Sequence, residues 1–185
     1  MIDVNELRKG VTFEHDDNLL KVLEYHHHKP GRGSATIRVK TVNLRTGTNR
    51  EFTFTSSDRV QEVRLDYHKS QYLYNDGDLY YFMDNTTYEQ YAVSKDVLGD
   101  QVSYLSENLE VKLTFYEGEA LDVELPMTVD LVVTKAEVAV RGDTATGLNK
   151  KVTTETGLIV QVPNFVETGT TIRVNTGTGE YITRL

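Results

Sequence analysis

The 185-residue chain contains no cysteine, no tryptophan and only three prolines. Without cysteine there are no disulfides, no thiolate zinc sites and no thiol nucleophile. Long apolar runs are also missing. The longest, Leu79-Tyr80-Tyr81-Phe82-Met83, falls far short of the roughly 20 residues a membrane helix requires. The opening stretch MIDVNELRKG has no apolar core and no cleavage pattern, so no signal peptide is expected. Composition is otherwise ordinary, 38% hydrophobic and 26% charged, which fits neither a disordered nor a fibrous chain. The expectation is a soluble cytoplasmic protein.

What is present is charge of uneven distribution. The net charge of −8 argues against a general nucleic-acid binder, but the average conceals a gradient. Residues 1–64 hold 11 Lys/Arg against 9 Asp/Glu; residues 65–126 hold 3 against 13; residues 127–185 hold 6 of each. Between Tyr25 and Arg50 lie Lys29, Arg32, Arg38, Lys40, Arg45 and Arg50 with no carboxylate. A basic end joined to an acidic middle either meets phosphate at one end or carries clustered charge on solvated faces.

Period-two alternation recurs along the chain, as in Ile37, Val39 and Thr41 around Arg38 and Lys40, or Leu121, Val123 and Leu125 around Asp122 and Glu124. β-Branched and aromatic residues at these positions predict strands. Turn chemistry falls at Asp16-Asp17-Asn18, Thr46-Gly47-Thr48-Asn49, Asn75-Asp76-Gly77-Asp78 and Gly177-Thr178-Gly179. Short helical turns are expected only near Asn5–Arg8 and around Asn85–Tyr91. The fold class is therefore all-β, built of barrels or sandwiches. Composition shifts near residue 64, and Leu125-Pro126-Met127 reads as a joint, giving domains 1–64, 65–126 and 127–185. Domains this small are marginal alone and are expected to dock on their neighbours.

The segment His26-His27-His28-Lys29-Pro30-Gly31-Arg32-Gly33-Ser34-Ala35 lies between the strand-like runs 20–25 and 36–44 and is expected to cap a β-hairpin. Pro30 sets its own φ and biases Lys29 to an extended form. Gly31 and Gly33 permit a tight tip from which Arg32 stands out. An arginine so placed can meet RNA phosphate or stack on a base; the alternative is an exposed turn with an incidental arginine. His26 and His28 would share one strand face and His27 the other. With no carboxylate nearby to complete a ligand set, no metal and no cofactor are expected.

Enzyme readings fail on the residues. The run from Gly142 to Gly147 opens like a phosphate loop, but Leu148-Asn149 stands where Lys-Ser/Thr is required. Asn75-Asp76-Gly77-Asp78 lacks the alternating ligands and distal glutamate of a calcium loop. No G-x-S-x-G elbow occurs.

The hairpin segment His27–Gly33 resembles the tip of bacterial translation elongation factor P. Further matches follow in order: Tyr72–Asp78, Tyr81–Asp84 and Thr87–Gln90 resemble that family's middle domain, KVTTETGLIVQVPNFVETG at 151–169 its C-terminal signature, and Thr176–Tyr181 with Arg184 its tail. The resemblance spans essentially the whole chain. It implies an SH3-like (KOW-type) N-terminal barrel followed by two OB-folds in an elongated, tRNA-like L shape. It implies a monomeric, non-enzymatic factor bound to rRNA of both ribosomal subunits beside the peptidyl-tRNA, relieving stalling at polyproline stretches.

The same resemblance assigns Lys29, Pro30, Gly31, Arg32 and Gly33 to a hairpin tip directed at the peptidyl transferase centre. It assigns Gly142, Asp143, Thr144, Tyr181 and Arg184 to C-terminal contacts with ribosome, mRNA or tRNA. Arg32 stands where many members carry a modified lysine, which excludes lysine-specific modification there. Another branch carries a rhamnosylated arginine, so Arg32 is either the substrate of a tip-modifying enzyme or acts bare. Pro30 belongs to the lysine-type loop context. The alternatives are a paralogous ribosome-binding factor with other clients and a general OB-fold RNA-binding protein.

Overall fold

The computed structural model describes every residue except Pro30, Arg32 and 138–148. Its described residues form three antiparallel sheets, as the alternation predicts. The first contains β1 (Ile2–Asp3), β2 (Thr12–His15), β3 (Asn18–His28), β4 (Thr36–Asn43), β5 (Asn49–Thr55) and β6 (Arg59–Val63) in the order β1-β6-β2-β3-β4-β5. The second contains β7 (Asp66–Asn75), β8 (Leu79–Asp84), β9 (Gln90–Ser94), β10 (Glu110–Tyr116) and β11 (Glu119–Glu124), ordered β11-β10-β7-β8-β9. The third contains β12 (Thr128–Ala136), β13 (Asn149–Thr154), β14 (Ile159–Pro163), β15 (Thr171–Asn175) and β16 (Tyr181–Arg184), ordered β14-β13-β12-β15-β16.

Two compact units result, Met1–Tyr67 with Thr114–Asp122, and His68–Leu113 with Val123–Leu185. In the first, Val4, Phe13, Leu20, Val22, Ile37, Val39 and Phe54 form the main cluster. Every second residue of β4 enters it or lies buried beside it, while Arg38 and Lys40 face out. Each such aliphatic contributes roughly 1.5–3 kcal/mol on burial. A second cluster joins Leu19, Leu44, Val63 and Leu121. In the second unit, Val129, Leu131, Val152, Val160, Ile172 and Val174 form a core of β-branched and leucine side chains.

Helices fall differently from the sequence expectation. A 3₁₀ turn does occupy Val4–Glu6, capped by Asp3, whose carboxylate accepts from the Asn5 amide at 2.9 Å. No helix forms over 85–91. There the buried Asp84 carboxylate accepts from the amides of Thr86 at 2.7 Å and Thr87 at 3.0 Å, and Tyr88 adopts φ +61°. One helical-type bond does form, from Tyr88 N–H to Asp84 O at 2.9 Å, but the positive φ of Tyr88 keeps the turn from continuing as a helix. Among the described residues the one short α-helix, α1 (Lys95–Leu98), lies downstream and leads into a 3₁₀ stretch, Gly99–Tyr104. Four residues are too few to display helical periodicity in a sequence. Among the described residues no helix is long and apolar enough to cross a membrane.

Candidate functional site

The hairpin of β3 and β4 is the most prominent feature of the first unit. β3 runs through the histidines to His28, so the connecting loop is shorter than the sequence suggests and spans 29–35. Its register pairs Tyr25 with Val39, His26 with Arg38, His27 with Ile37 and His28 with Thr36, which places His27 opposite in sense to its two neighbours. A bulge interrupts the ladder between Val22 and Glu24. Before it β3 is largely buried; beyond it β3 is mostly exposed. β5 supports the outer limb by pairing Ile37 with Phe54 and Thr36 with Thr55. Past Thr36 the chain leaves the sheet. Lys29, Gly31 and Gly33 are exposed there, and Gly33 has φ +112°, a conformation costly for any residue with a Cβ.

Charge on the stem is partly neutralised. Lys40 reaches Glu24 at 3.0 Å, His26 approaches the same carboxylate at 3.4 Å, and Arg38 pairs with Glu51 at 3.2 Å. Lys40 and then His26 hold the Glu24 carboxyl below its ordinary pKa. Lys29 and Arg50 are exposed and make no ion pair with a described residue. The unneutralised charge therefore lies toward the loop and along the β5 edge. Among the described residues, no three His, Asp or Glu side chains converge as a metal would require.

In the C-terminal sheet, Asn175 closes the β15–β16 turn by accepting from the amides of Gly177 at 2.8 Å and Thr178 at 3.0 Å. Gly179, at φ +74°, completes the reversal. Tyr181 then pairs with Val174 and packs half-buried against the β-branched core. Its other side lines an open groove of about 550 Å³ with Ile159, Gln161 and Pro163. Tyr181 thus packs on the core and keeps one edge in the groove. Arg184 lies over the Phe165 ring at 5.0 Å and has no ion pair with a described residue. Arg173, by contrast, is committed to Asp130 through a fork at 2.7 and 2.9 Å.

Of the sequence-predicted site residues, Lys29, Gly31 and Gly33 sit together on the loop, and Tyr181 and Arg184 on one strand. Pro30, Arg32, Gly142, Asp143 and Thr144 lie outside the described residues. Sequence reasoning missed Phe165, 56% exposed beneath Arg184. An aromatic following Pro163-Asn164 in a turn, where alternation stops, was the available signal. It also missed Tyr25 as a ring under Arg8, at 5.0 Å.

Three family models match in order: the elongation factor P KOW-like domain at residues 3–60, the elongation factor P OB domain at 65–123, and the elongation factor P C-terminal domain at 129–184. Elongation factor P of Moorella thermoacetica is 46% identical over 184 residues, the whole of both chains. A solved structure of eukaryotic translation initiation factor 5A from Methanococcus jannaschii shares the fold, with TM-score 0.54 and 24% identity over 68% of this chain and 90% of that one. The first sheet is accordingly a KOW-like domain and the other two are OB-like half-barrels. The chain belongs to the elongation factor P family and is a translation elongation factor.

Proposed function

We propose that this factor binds the ribosome beside the peptidyl-tRNA and stimulates peptide-bond formation, relieving stalls at polyproline stretches, with no bond chemistry of its own. The observation that carries the reading is the β3–β4 hairpin. It extends beyond the buried core on a stem held by β5, and ends in a loop with cationic residues and no carboxylate. Such a limb is suited to reaching into a narrow RNA-lined site. The loop residues Lys29, Pro30, Gly31, Arg32 and Gly33 are directed at the peptidyl transferase centre. Tyr181 and Arg184, together with Gly142, Asp143 and Thr144, contact the small subunit, mRNA or exit-side tRNA.

The physical action is positioning. Proline is a constrained partner in peptide transfer, and its peptidyl-tRNA samples unproductive geometries. Contacts to tRNA backbone and acceptor end narrow that ensemble; positioning supplies about 7–11 kcal/mol in the best intramolecular cases. Phosphate contacts set register without reading sequence. The reading carries with it the domain division 1–64, 65–126 and 127–185, a cytoplasmic monomer, and rRNA of both subunits as partners. Arg32 is then the point of contact, bare or altered by a tip-modifying enzyme. Its presence in a loop of the lysine type also favours a paralogous factor with its own clients as second reading.

The test is synthesis of a Pro-Pro-Pro reporter in a purified translation system, with and without unmodified recombinant protein. Faster passage through the proline stretch, lost on Arg32→Ala while the fold is retained, is the expected result. Unchanged rescue by Arg32→Ala would remove Arg32 from its assigned role. With no rescue by the unmodified wild type, intact mass of the factor from its native host separates a missing modification from a different client.

A further inference from the structure

The short N-terminal segment before β2 touches the outgoing limb of the projecting hairpin directly and reaches its returning limb through the turn that follows β5. On the returning limb, the Asn5 Nδ2–H donates to the main-chain oxygen of Ser56 at 2.8 Å. The Ser56 N–H in turn donates to the main-chain oxygen of Ala35 at 3.0 Å, the last residue before β4. Asn5 is itself oriented by Asp3, whose Oδ1 accepts from both the Asn5 amide N–H and its side-chain Nδ2–H. The 55–58 turn through which the link runs is closed independently: Thr55 N–H donates to Asp58 Oδ2 at 2.7 Å, and Val4 N–H donates to Asp58 O at 3.1 Å. On the outgoing limb, the Arg8 guanidinium lies 5.0 Å over the ring of Tyr25, which pairs with Val39. Arg8 is held there by donating from Nη1 to Asn5 O at 2.8 Å and Leu7 O at 2.6 Å.

These contacts are more than packing. Side-chain amides and guanidinium groups are the polar groups that fix direction as well as distance. Asn5 and Arg8 share a main-chain atom, Asn5 O, so the two grips are one assembly. Neither residue lies on the loop. We propose that Asn5 and Arg8 are positioning residues for the 29–35 loop, Asn5 holding the base of its returning limb through the Ser56 main chain and Arg8 clamping its outgoing strand at Tyr25. The role rests on the reading that the hairpin tip acts in peptide transfer, and it makes the aim of the tip a property of residues 3–8.

The experiment compares wild type with Asn5→Ala, Arg8→Ala, Arg8→Lys and the Asn5→Ala/Arg8→Ala pair. Ser56→Ala is the control, because it keeps both main-chain links. Amide hydrogen exchange at Ser56 is followed together with Pro-Pro-Pro synthesis as a function of factor concentration. In Asn5→Ala, exchange at Ser56 is expected to rise about tenfold, the scale of losing one hydrogen bond of net 1–1.5 kcal/mol. The maximal stimulated rate falls several-fold while the half-saturating concentration stays put. A mere loss of folded protein would instead be overcome by adding more factor. Arg8→Lys keeps the charge but lacks the planar fork, and behaves like Arg8→Ala. If the paired variant fails to fold, the single variants carry the same readouts.

Unchanged Ser56 exchange in Asn5→Ala overturns the link. Faster exchange with a wild-type maximal rate overturns the positioning role. A wild type that is inert both as unmodified recombinant protein and as purified from its native host overturns the functional reading itself, and the role within it, and is distinguished from the other two outcomes by needing no variant.

Discussion

Asp84 shows how much one buried side chain can organise. Its carboxylate meets His68 Nδ1 and the amides of Thr86 and Thr87, while its main-chain oxygen accepts from Tyr88. The His68 hydrogen bond first, then the two amides, hold this carboxyl below the ordinary aspartate range. A carboxyl depressed in the folded state stabilises it above the unfolded pKa, near 3.9, and that contribution disappears as pH falls through the lower folded value. Asp84→Asn is therefore expected to flatten the acid limb of the stability curve below about pH 4 relative to wild type. Urea midpoints measured from pH 6 to pH 2 check it; parallel acid limbs would contradict the assignment. Asp84→Ala leaves two turn donors without their acceptor and should cost about 1–3 kcal/mol. Nothing in the run Asp84-Asn85-Thr86-Thr87-Tyr88 announces this. Its residues fit a capped helix start as well as a capped turn, and only the partner on β7 decides between them.

At the scale of elements, β4 carries the strongest local instruction. Ile37 and Val39 are fully buried and their neighbours are charged, so alternation alone sets which face is inward. Ile37→Ala is expected to destabilise the first unit by about 2–5 kcal/mol, measurable as a shift in its denaturant midpoint. Glu24→Gln, on the exposed stem, should leave that midpoint where it is. The same alternation made β11 legible, where Leu121 and Val123 are buried beside Asp122 and Glu124. It failed at the end of β3, because His26, His27 and His28 are polar on both faces once the strand has left the core. What extends them is pairing with Arg38, Ile37 and Thr36, a long-range condition absent from local sequence. The site was legible where a single residue type is demanded, as at Gly33 with its positive φ and in the Asn175 turn. It was illegible where a role depends on a neighbour distant in the chain, as with Phe165 under Arg184 or Asn5 against Ser56.

For the molecule as a whole, charge is allotted by segment rather than spread. Residues 65–126 hold 13 acidic side chains against 3 basic, whereas 25–50 hold cations alone. In the proposed reading, attraction to an RNA surface resides in part of the chain, and the acidic segment discourages unproductive sticking. Ribosome binding by this factor should weaken linearly in log affinity against log salt, and Lys29→Ala should reduce the slope by about one if Lys29 meets a phosphate. An unchanged slope would assign Lys29 elsewhere. The bulge between Val22 and Glu24 has a mechanical meaning at this scale. From there to Lys29 the strand covers about 20 Å at roughly 3.3 Å per residue. A tilt of about 3° at the bulge would sweep the tip through about 1 Å, an error large enough to change a positioned reaction about 100-fold. In the proposed reading the hairpin is a lever, and its angular stiffness, to which the buried Ile37 and Val39 and the pairing with β5 contribute beyond the bulge, sets the tolerance with which the tip can be aimed, rather than affinity at the far end.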